Sequence, residues 1–306
     1  MRCVQVEKKD AEKTKQTLIK LNVLAINYRP LSGKKYIYFA VTKPVSGYTI
    51  VNKTIPAIQR IHIDAASFDQ VGDIVILGED GTKKQAEQLL QMKTVKVVLR
   101  RKGIHGGEFR TQDLEWIAGE KRKETSYKEN GVQIKVDVEK CYFSPRLSTE
   151  RLRIANQVEP GEKVLIMFSG VAPYCLVIAR HSKAAKIVGV EKNPIAHKYA
   201  LENCRKMKNI ELFNSDVHGF IYPEKFDRIA MPLPYSAEEF LDDALRLAKK
   251  GATIHFYDFV EEADIPQKSI DEIKRHCANA KVFNVVKCGQ YGPKRWRICV
   301  DFTKEE

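Results

Sequence analysis

The stretch "VLIMFSGVAPYCLVIA", Val164 to Ala179, decides the fold. It runs apolar to Phe168, breaks at Ser169-Gly170, and turns apolar again beyond Pro173. A strand buried on both faces, a glycine turn and a helix read this way. The run is too short to span a bilayer, and Gly170 and Pro173 interrupt it. Upstream, "STERLRIANQV" reads as a helix that Ser148 or Thr149 could cap. Downstream come strand "KIVGVEKN", helix "PIAHKYALENCRKM" with Pro194 in its first turn, and strands "IELFNSD" and "FDRIAMPLP". Helix "AEEFLDDALRLAKK", strand "GATIHFYDF" and helix "SIDEIKRHCANA" follow. Helices alternating with fully apolar strands predict an α/β, doubly wound, mostly parallel sheet. "VFNVVKCGQYG" and "RWRICVDF" read as an antiparallel hairpin on its edge.

The first 140 residues read differently. Residues 1–62 form a small α/β unit, with helix "KKDAEKTKQTLIKLNVL" and strands "KKYIYFAVT" and "GYTIVNKTI". In residues 63–140, "SFDQVGDIVIL" reads as a short helix or turn and then a strand. "KKQAEQLLQM" is a helix, "VKVVLRRK" a strand and "KGIHGGEFR" a glycine-rich loop. Asn130-Gly131 opens an alternating strand. The expected division is therefore 1–62, 63–140 and 141–306.

The chain of 306 residues carries a net charge of +13, which favours a polyanionic partner such as nucleic acid. Lys93, Lys96, Arg100, Arg101, Lys102, Arg110, Lys121, Arg122 and Lys123 cluster around the glycine-rich loop, as a group that tracks a phosphate backbone. Seven cysteines without a C-x-x-C pair fit free thiols in a reducing cytosol. The charged start "MRCVQVEKKD" is no secretory leader, so a cytoplasmic location is expected.

In a doubly wound sheet, ligands bind at the carboxyl ends of the strands. Gly170 follows the first strand and lets backbone approach a ligand. Glu191 ends the second strand, where an acid can accept from ribose hydroxyls. Asp216 ends the third, where a carboxylate can accept from an adenine amino group. The loop holds one glycine where the dinucleotide fingerprint has three, and no Lys-Ser/Thr pair follows. That combination points to adenosine without phosphates, hence S-adenosylmethionine. "MPLPYSAEEFL", rigid and poor in donors, reads as a wall for a flat base. His255 and Asp258, three apart on a strand, face opposite sides and read as structural. The histidines show no metal spacing.

The segments "YFSPRLSTERLRIA", "FSGVAPY", "VEKNPIA" and "MPLPYSAEEFL" resemble the archaeal and eukaryotic tRNA (guanine-37-N1)-methyltransferases. The resemblance runs through the chain and includes "GIHGGEFR". It implies a class I, Rossmann-like methyltransferase domain with small N-terminal α/β modules, acting as a monomer on the anticodon loop and outer corner of tRNA. By the same resemblance Glu150 is the general base and Arg110 stabilises negative charge on guanine O6. Tyr142 and Pro234 line the base, Arg146 and Arg151 support base and cofactor, and Phe168, Gly170, Glu191 and Asp216 form the cofactor pocket. Three positions depart from the family pattern. Ile166 stands for an Asp, Ala172 for a Gly, and Pro232 for an Asn that can hold the guanine. Pro232 keeps an alternative open: a wyosine-pathway enzyme that transfers an aminocarboxypropyl group or methylates the imidazo-guanine intermediate. Ile166 and Ala172 motivate a third, a tRNA-binding protein with a decayed cofactor pocket.

Overall fold

The computed structural model describes residues 1–57, 68–103, 106–233 and 235–305. The chain divides into two units, residues 1–62 and 63–306. In the first, β1 (Arg2–Glu7), α1 (Ala11–Lys20), β2 (Leu31–Ser32), β3 (Tyr36–Ala40) and β4 (Thr49–Asn52) build an antiparallel sheet in the order β2-β3-β1-β4. Leu18 of α1 packs on Val4, Val6 and Phe39, a core made from this unit's own residues. Strand β1, central in the sheet, is absent from the sequence reading, although its "RCVQVE" alternates inward and outward.

The second unit opens with β5 (Phe68–Val71), β6 (Ile74–Leu77), α2 (Lys83–Leu90), β7 (Val97–Arg101) and β8 (Leu114–Gly119), a sheet in that strand order. "FDQV" is thus a strand and not a helix or turn. It pairs back onto β6 through Gly72, whose φ is +59° and whose added Cβ would fall 2.3 Å from Thr125 Oγ1. Strands β9 (Glu124–Glu129) and β10 (Val132–Asp137) form a hairpin. Asn130 and Gly131 at its turn have φ of 44° and 72°, the left-handed pair that a two-residue hairpin loop needs.

There follow α3 (Ser148–Gln157), β11 (Lys163–Met167), α4 (Pro173–His181), β12 (Lys186–Glu191), α5 (Pro194–Cys204), β13 (Ile210–Asn214) and β14 (Phe226–Met231). Then come α6 (Leu241–Leu247), β15 (Ala248–Glu261), α7 (Gln267–His276), β16 (Lys281–Gly292) and β17 (Arg295–Thr303). The sheet order is β13-β12-β11-β14-β15-β17-β16. Its first five strands are parallel, and β17 and β16 add antiparallel at the edge, as expected. The unbroken apolar run of β11 has its cause here. Val164 and Ile166 enter the core shared with α3 and α4, while Leu165 and Met167 enter the core under α6 and α7. The first of these cores also holds Ile74 and Leu99 of the small sheet and Ile134 of the hairpin, so it is continuous across residue 140.

Neither Ser148 nor Thr149 caps α3. A 3-10 turn over Pro145–Leu147 runs straight into the helix, and Ser148 accepts from Asn130 Nδ2 instead, at 2.8 Å on its carbonyl. Among the described residues, no helix is long and apolar enough to cross a membrane.

Candidate active site

Strand order reverses between β11 and β14, and there the loops at the carboxyl ends enclose a cavity of about 350 Å³. That volume suits a small-molecule site. The loop after β11 holds Phe168, Gly170 and Ala172 in the left-handed region, at φ of 56°, 56° and 66°. For the two non-glycine residues this conformation costs about 1–2 kcal/mol each. Ala172, where the family pattern has glycine, is fully buried, and Phe168 packs edge-on against Phe240 at 4.8 Å, so surrounding packing holds the strain.

The Gly170 amide donates to Glu191 Oε2 at 2.6 Å and the Asn193 amide to Oε1 at 2.7 Å. Burial raises the Glu191 pKa above the ordinary glutamate value, and these amides pull it partly back. Both oxygens retain acceptor capacity. Ser169 Oγ lines the same cavity, is buried, and has no hydrogen-bond partner among the described residues. A bound molecule with a polar group at that point would satisfy it.

Asp216 stands two residues beyond β13 rather than at its end. It accepts from the His218 amide at 3.0 Å and pairs with Lys192 at 2.6 Å. Burial alone would raise its pKa, but Lys192 and the amide outweigh it and the net shift is downward. The His218 ring stacks on Phe240, with centroids 4.2 Å apart and planes 18° apart. Phe168, His218 and Phe240 thus form an aromatic cluster lining one end of the cavity, with the Asp216 acceptor beside it. Aromatic faces beside carboxylate acceptors suit a nucleoside such as the adenosine of S-adenosylmethionine.

The cavity continues to Arg110, Tyr142, Arg151 and Pro232. Arg110 lies 4.0 Å over the Tyr235 ring, and burial lowers its pKa from the usual guanidinium value. Tyr142 Oη accepts from Arg297 Nη2 at 3.0 Å. Pro232 is the centre of a three-residue turn closed by Leu233 N–H to Met231 O at 2.7 Å, so this wall is rigid. Arg151 is almost fully buried and gives both Nε and Nη2 to Glu129 at 2.5 Å, tying α3 to β9. Pro234 lies outside the described residues.

Glu150 and Arg146 are not brought into the cavity wall. Glu150 is buried behind it, where Oε1 accepts from Tyr257 Oη at 2.6 Å and from Arg153 Nη2 at 2.7 Å, and Oε2 from Arg153 Nε at 2.7 Å. Arg153 also donates to Asp301 at 2.5 Å. Burial works against its charge, but the two carboxylates outweigh that and raise its pKa. Arg146 is exposed and pairs with Asp69 at 2.5 Å. Within the basic cluster, Arg100, Arg101, Arg122 and Lys123 are each paired with a carboxylate of the fold.

His255 and Asp258 have separate structural partners. His255 Nδ1 meets Asp301 at 2.6 Å and its Nε2 meets Arg228 Nη1 at 2.9 Å, whereas Asp258 accepts from Ser269. Arg228 can only donate, so the His255 proton sits on Nδ1, and burial lowers the His255 pKa. With Cys299, His255 and Asp301 place potential ligand atoms within 4.8 Å of one another. Two guanidinium groups, Arg153 and Arg228, already face that cluster, and they oppose a cation.

Sequence reasoning gave no site role to Ser169, Asn193, His218 or Phe240. Ser169 and Asn193 stand inside the quoted motifs and were open to notice. Phe240 also stands inside "MPLPYSAEEFL", but on a short 3-10 turn beyond the prolines, where no spacing singles it out.

A TRM5/TYW2 methyltransferase domain model matches residues 125–286, a tRNA methyltransferase 5 N-terminal domain model residues 3–49, and a TYW2 N-terminal domain model residues 49–122. The tRNA (guanine(37)-N(1))-methyltransferase Trm5b of Pyrococcus abyssi is 32% identical over 98% of each chain. Among solved structures, the complex of aTrm5 and tRNALeu matches with a TM-score of 0.73 at 30% identity, covering 99% of both chains. TYW2 of M. jannaschii in complex with AdoMet matches with a TM-score of 0.64 at 25% identity, over 78% of this chain and 100% of that one.

Proposed function

The chain belongs to the TRM5/TYW2 methyltransferase family, and from that premise we propose that it transfers a methyl group from S-adenosylmethionine to N1 of guanine 37 in tRNA. The observation that carries the reading is one cavity with two ends. A nucleoside slot bordered by Glu191 and Asp216 is continuous with a second compartment walled by Arg110, Tyr142 and Pro232.

In this reading Phe168, Ser169, Gly170, Glu191 and Asp216 hold the cofactor. Bound there, S-adenosylmethionine supplies an electrophilic methyl group. Guanine N1 carries a proton at neutral pH and is a poor nucleophile, so a base must take that proton. Glu150 is that base. Its carboxylate is committed to Arg153 and Tyr257, and proton uptake requires it to exchange Arg153 for the guanine. Asp301 keeps Arg153 compensated when it does. Charge then spreads onto O6, and Arg110 stabilises it. Tyr142 and Pro232 place the flat base, because transfer demands tight positioning. The flipped base costs a few kcal/mol to extract, and an aromatic wall offsets part of that. Arg151 supports the wall through Glu129. Arg146, next to Leu147 of the wall, exchanges Asp69 for RNA on binding.

At the scale of the chain, residues 1–62 contact the outer corner of the tRNA, 63–140 carry further RNA contacts and supply Arg110, and 141–306 carry the cofactor site and Glu150. The protein acts as a monomer. Pro232 favours one second reading, aminocarboxypropyl transfer to a tRNA base, because it removes the amide that can read guanine. The spent cofactor separates the two. Release of S-adenosylhomocysteine supports methyl transfer, and release of methylthioadenosine replaces it with the second reading.

A further inference from the structure

The edge hairpin of the large sheet carries a feature that the chemistry above does not use. Its tip, "KCGQYGPKRWR" from Lys287 to Arg297, contains Lys287, Lys294, Arg295 and Arg297, no acidic residue, and two aromatics, Tyr291 and Trp296. Tyr291 is 55% exposed, yet its ring is held in place. It packs on Phe259 at 4.3 Å and on Tyr235 at 5.8 Å, and Tyr235 lies 4.5 Å from Phe259. Arg297 stacks over Phe259 at 5.0 Å and Arg110 over Tyr235 at 4.0 Å. The same Arg297 donates to Tyr142, so the aromatic cluster adjoins the cavity wall through two guanidinium groups.

We propose that Tyr291, backed by Phe259 and Tyr235, is a stacking platform for the unpaired nucleotide beside the target guanine. The proposal rests on the tRNA reading above and deepens it. Three arguments carry it. An aromatic cluster that served only the core would bury Tyr291, and here its ring remains open. Four cations face Glu261, in register with Arg295, and Glu262, paired with Lys287 at 2.9 Å, so the tip stays net positive and favours a polyanion over a protein or lipid-tail partner. Finally, flipping a base out of its stack leaves the neighbouring base without a partner. An aromatic face beside arginines is how unpaired nucleotides are held without regard to sequence. A base on this platform would also steady Tyr235 and, through it, Arg110. Platform occupancy and the placement of the O6 contact are therefore coupled.

The test uses the full-length protein with bound S-adenosylmethionine and two tRNA transcripts, each with 2-aminopurine on one side of the target guanine. Binding is expected to quench the probe on one side. Tyr291→Ala should abolish that quench and weaken tRNA affinity about tenfold, with cofactor affinity unchanged. Tyr291→Phe should restore both, because the ring face and not the hydroxyl is used. Wild-type affinity and quenching in Tyr291→Ala would overturn the platform. The two claims separate cleanly. Quenching that depends on Tyr291 without methyl transfer leaves the platform and removes the methylation reading. Methyl transfer with Tyr291→Ala unaltered does the reverse.

Discussion

Glu191 is gripped by two backbone amides while burial lifts its pKa above that of an exposed glutamate. Its ionised form is the one that accepts from ribose hydroxyls. As pH falls, Glu191 takes up a proton earlier than an ordinary glutamate would. S-adenosylmethionine affinity should therefore be flat near about pH 8 and decline on approach to about pH 5. Calorimetric titration across that range checks this. Glu191→Gln should bind more weakly at neutral pH and lose most of the pH dependence. At Glu150 the expectation is of another kind. Glu150→Gln should lower single-turnover methyl transfer by about a hundredfold or more, with cofactor and tRNA affinity close to wild type. Near-wild-type turnover would remove Glu150 from the mechanism. The residues that border the cofactor slot were open to reading because strand ends and a glycine turn mark them. The setting of Glu150 was not. Its partner Arg153 is one turn along the same helix, but Tyr257, and Asp301 that holds Arg153 in turn, come from distant segments that no local spacing announces.

The pair formed by Arg151 of α3 and Glu129 of β9 is an element-scale bond. Both side chains are almost fully buried, so removal of one strands the other charge. Glu129→Ala should cost about 3–5 kcal/mol, read from urea denaturation. Replacing both with apolar residues, Glu129→Leu with Arg151→Met, should recover much of that stability while activity falls, because Arg151 also lines the cavity. Elements were legible in proportion to how fully they are buried. The strands β11 and β12 are apolar on both faces and could be read as runs. Strands β8 and β9 went unread because both show water one face, so that "LEWIAG" leaves Trp116 exposed and "ETSYKE" is polar at five of its six positions. The polar strand β5 was misread for the same reason. Its place is set by Gly72 and by pairing with β6, which is tertiary information.

At the scale of the molecule, the net charge of +13 sets the expected behaviour toward RNA. The logarithm of tRNA affinity should fall linearly with the logarithm of salt concentration, and filter binding at several salt concentrations measures the slope. The slope should be shallower than the nine clustered basic residues alone suggest, because Arg100, Arg101, Arg122 and Lys123 spend their charge on carboxylates of the fold. Residues 1–62 have their own core, so deleting them should leave cofactor affinity intact and weaken tRNA binding. Charge and composition pointed to a polyanion but carried no word on which base is modified. That choice rests on the short wall around Pro232. The most direct test is a nuclease digest, read by mass spectrometry, of a tRNA transcript with guanine at position 37 after incubation with the protein and S-adenosylmethionine. The account predicts one added methyl on that guanosine, absent when adenine replaces it. An unmodified guanosine, or an aminocarboxypropyl adduct in place of the methyl, would contradict it.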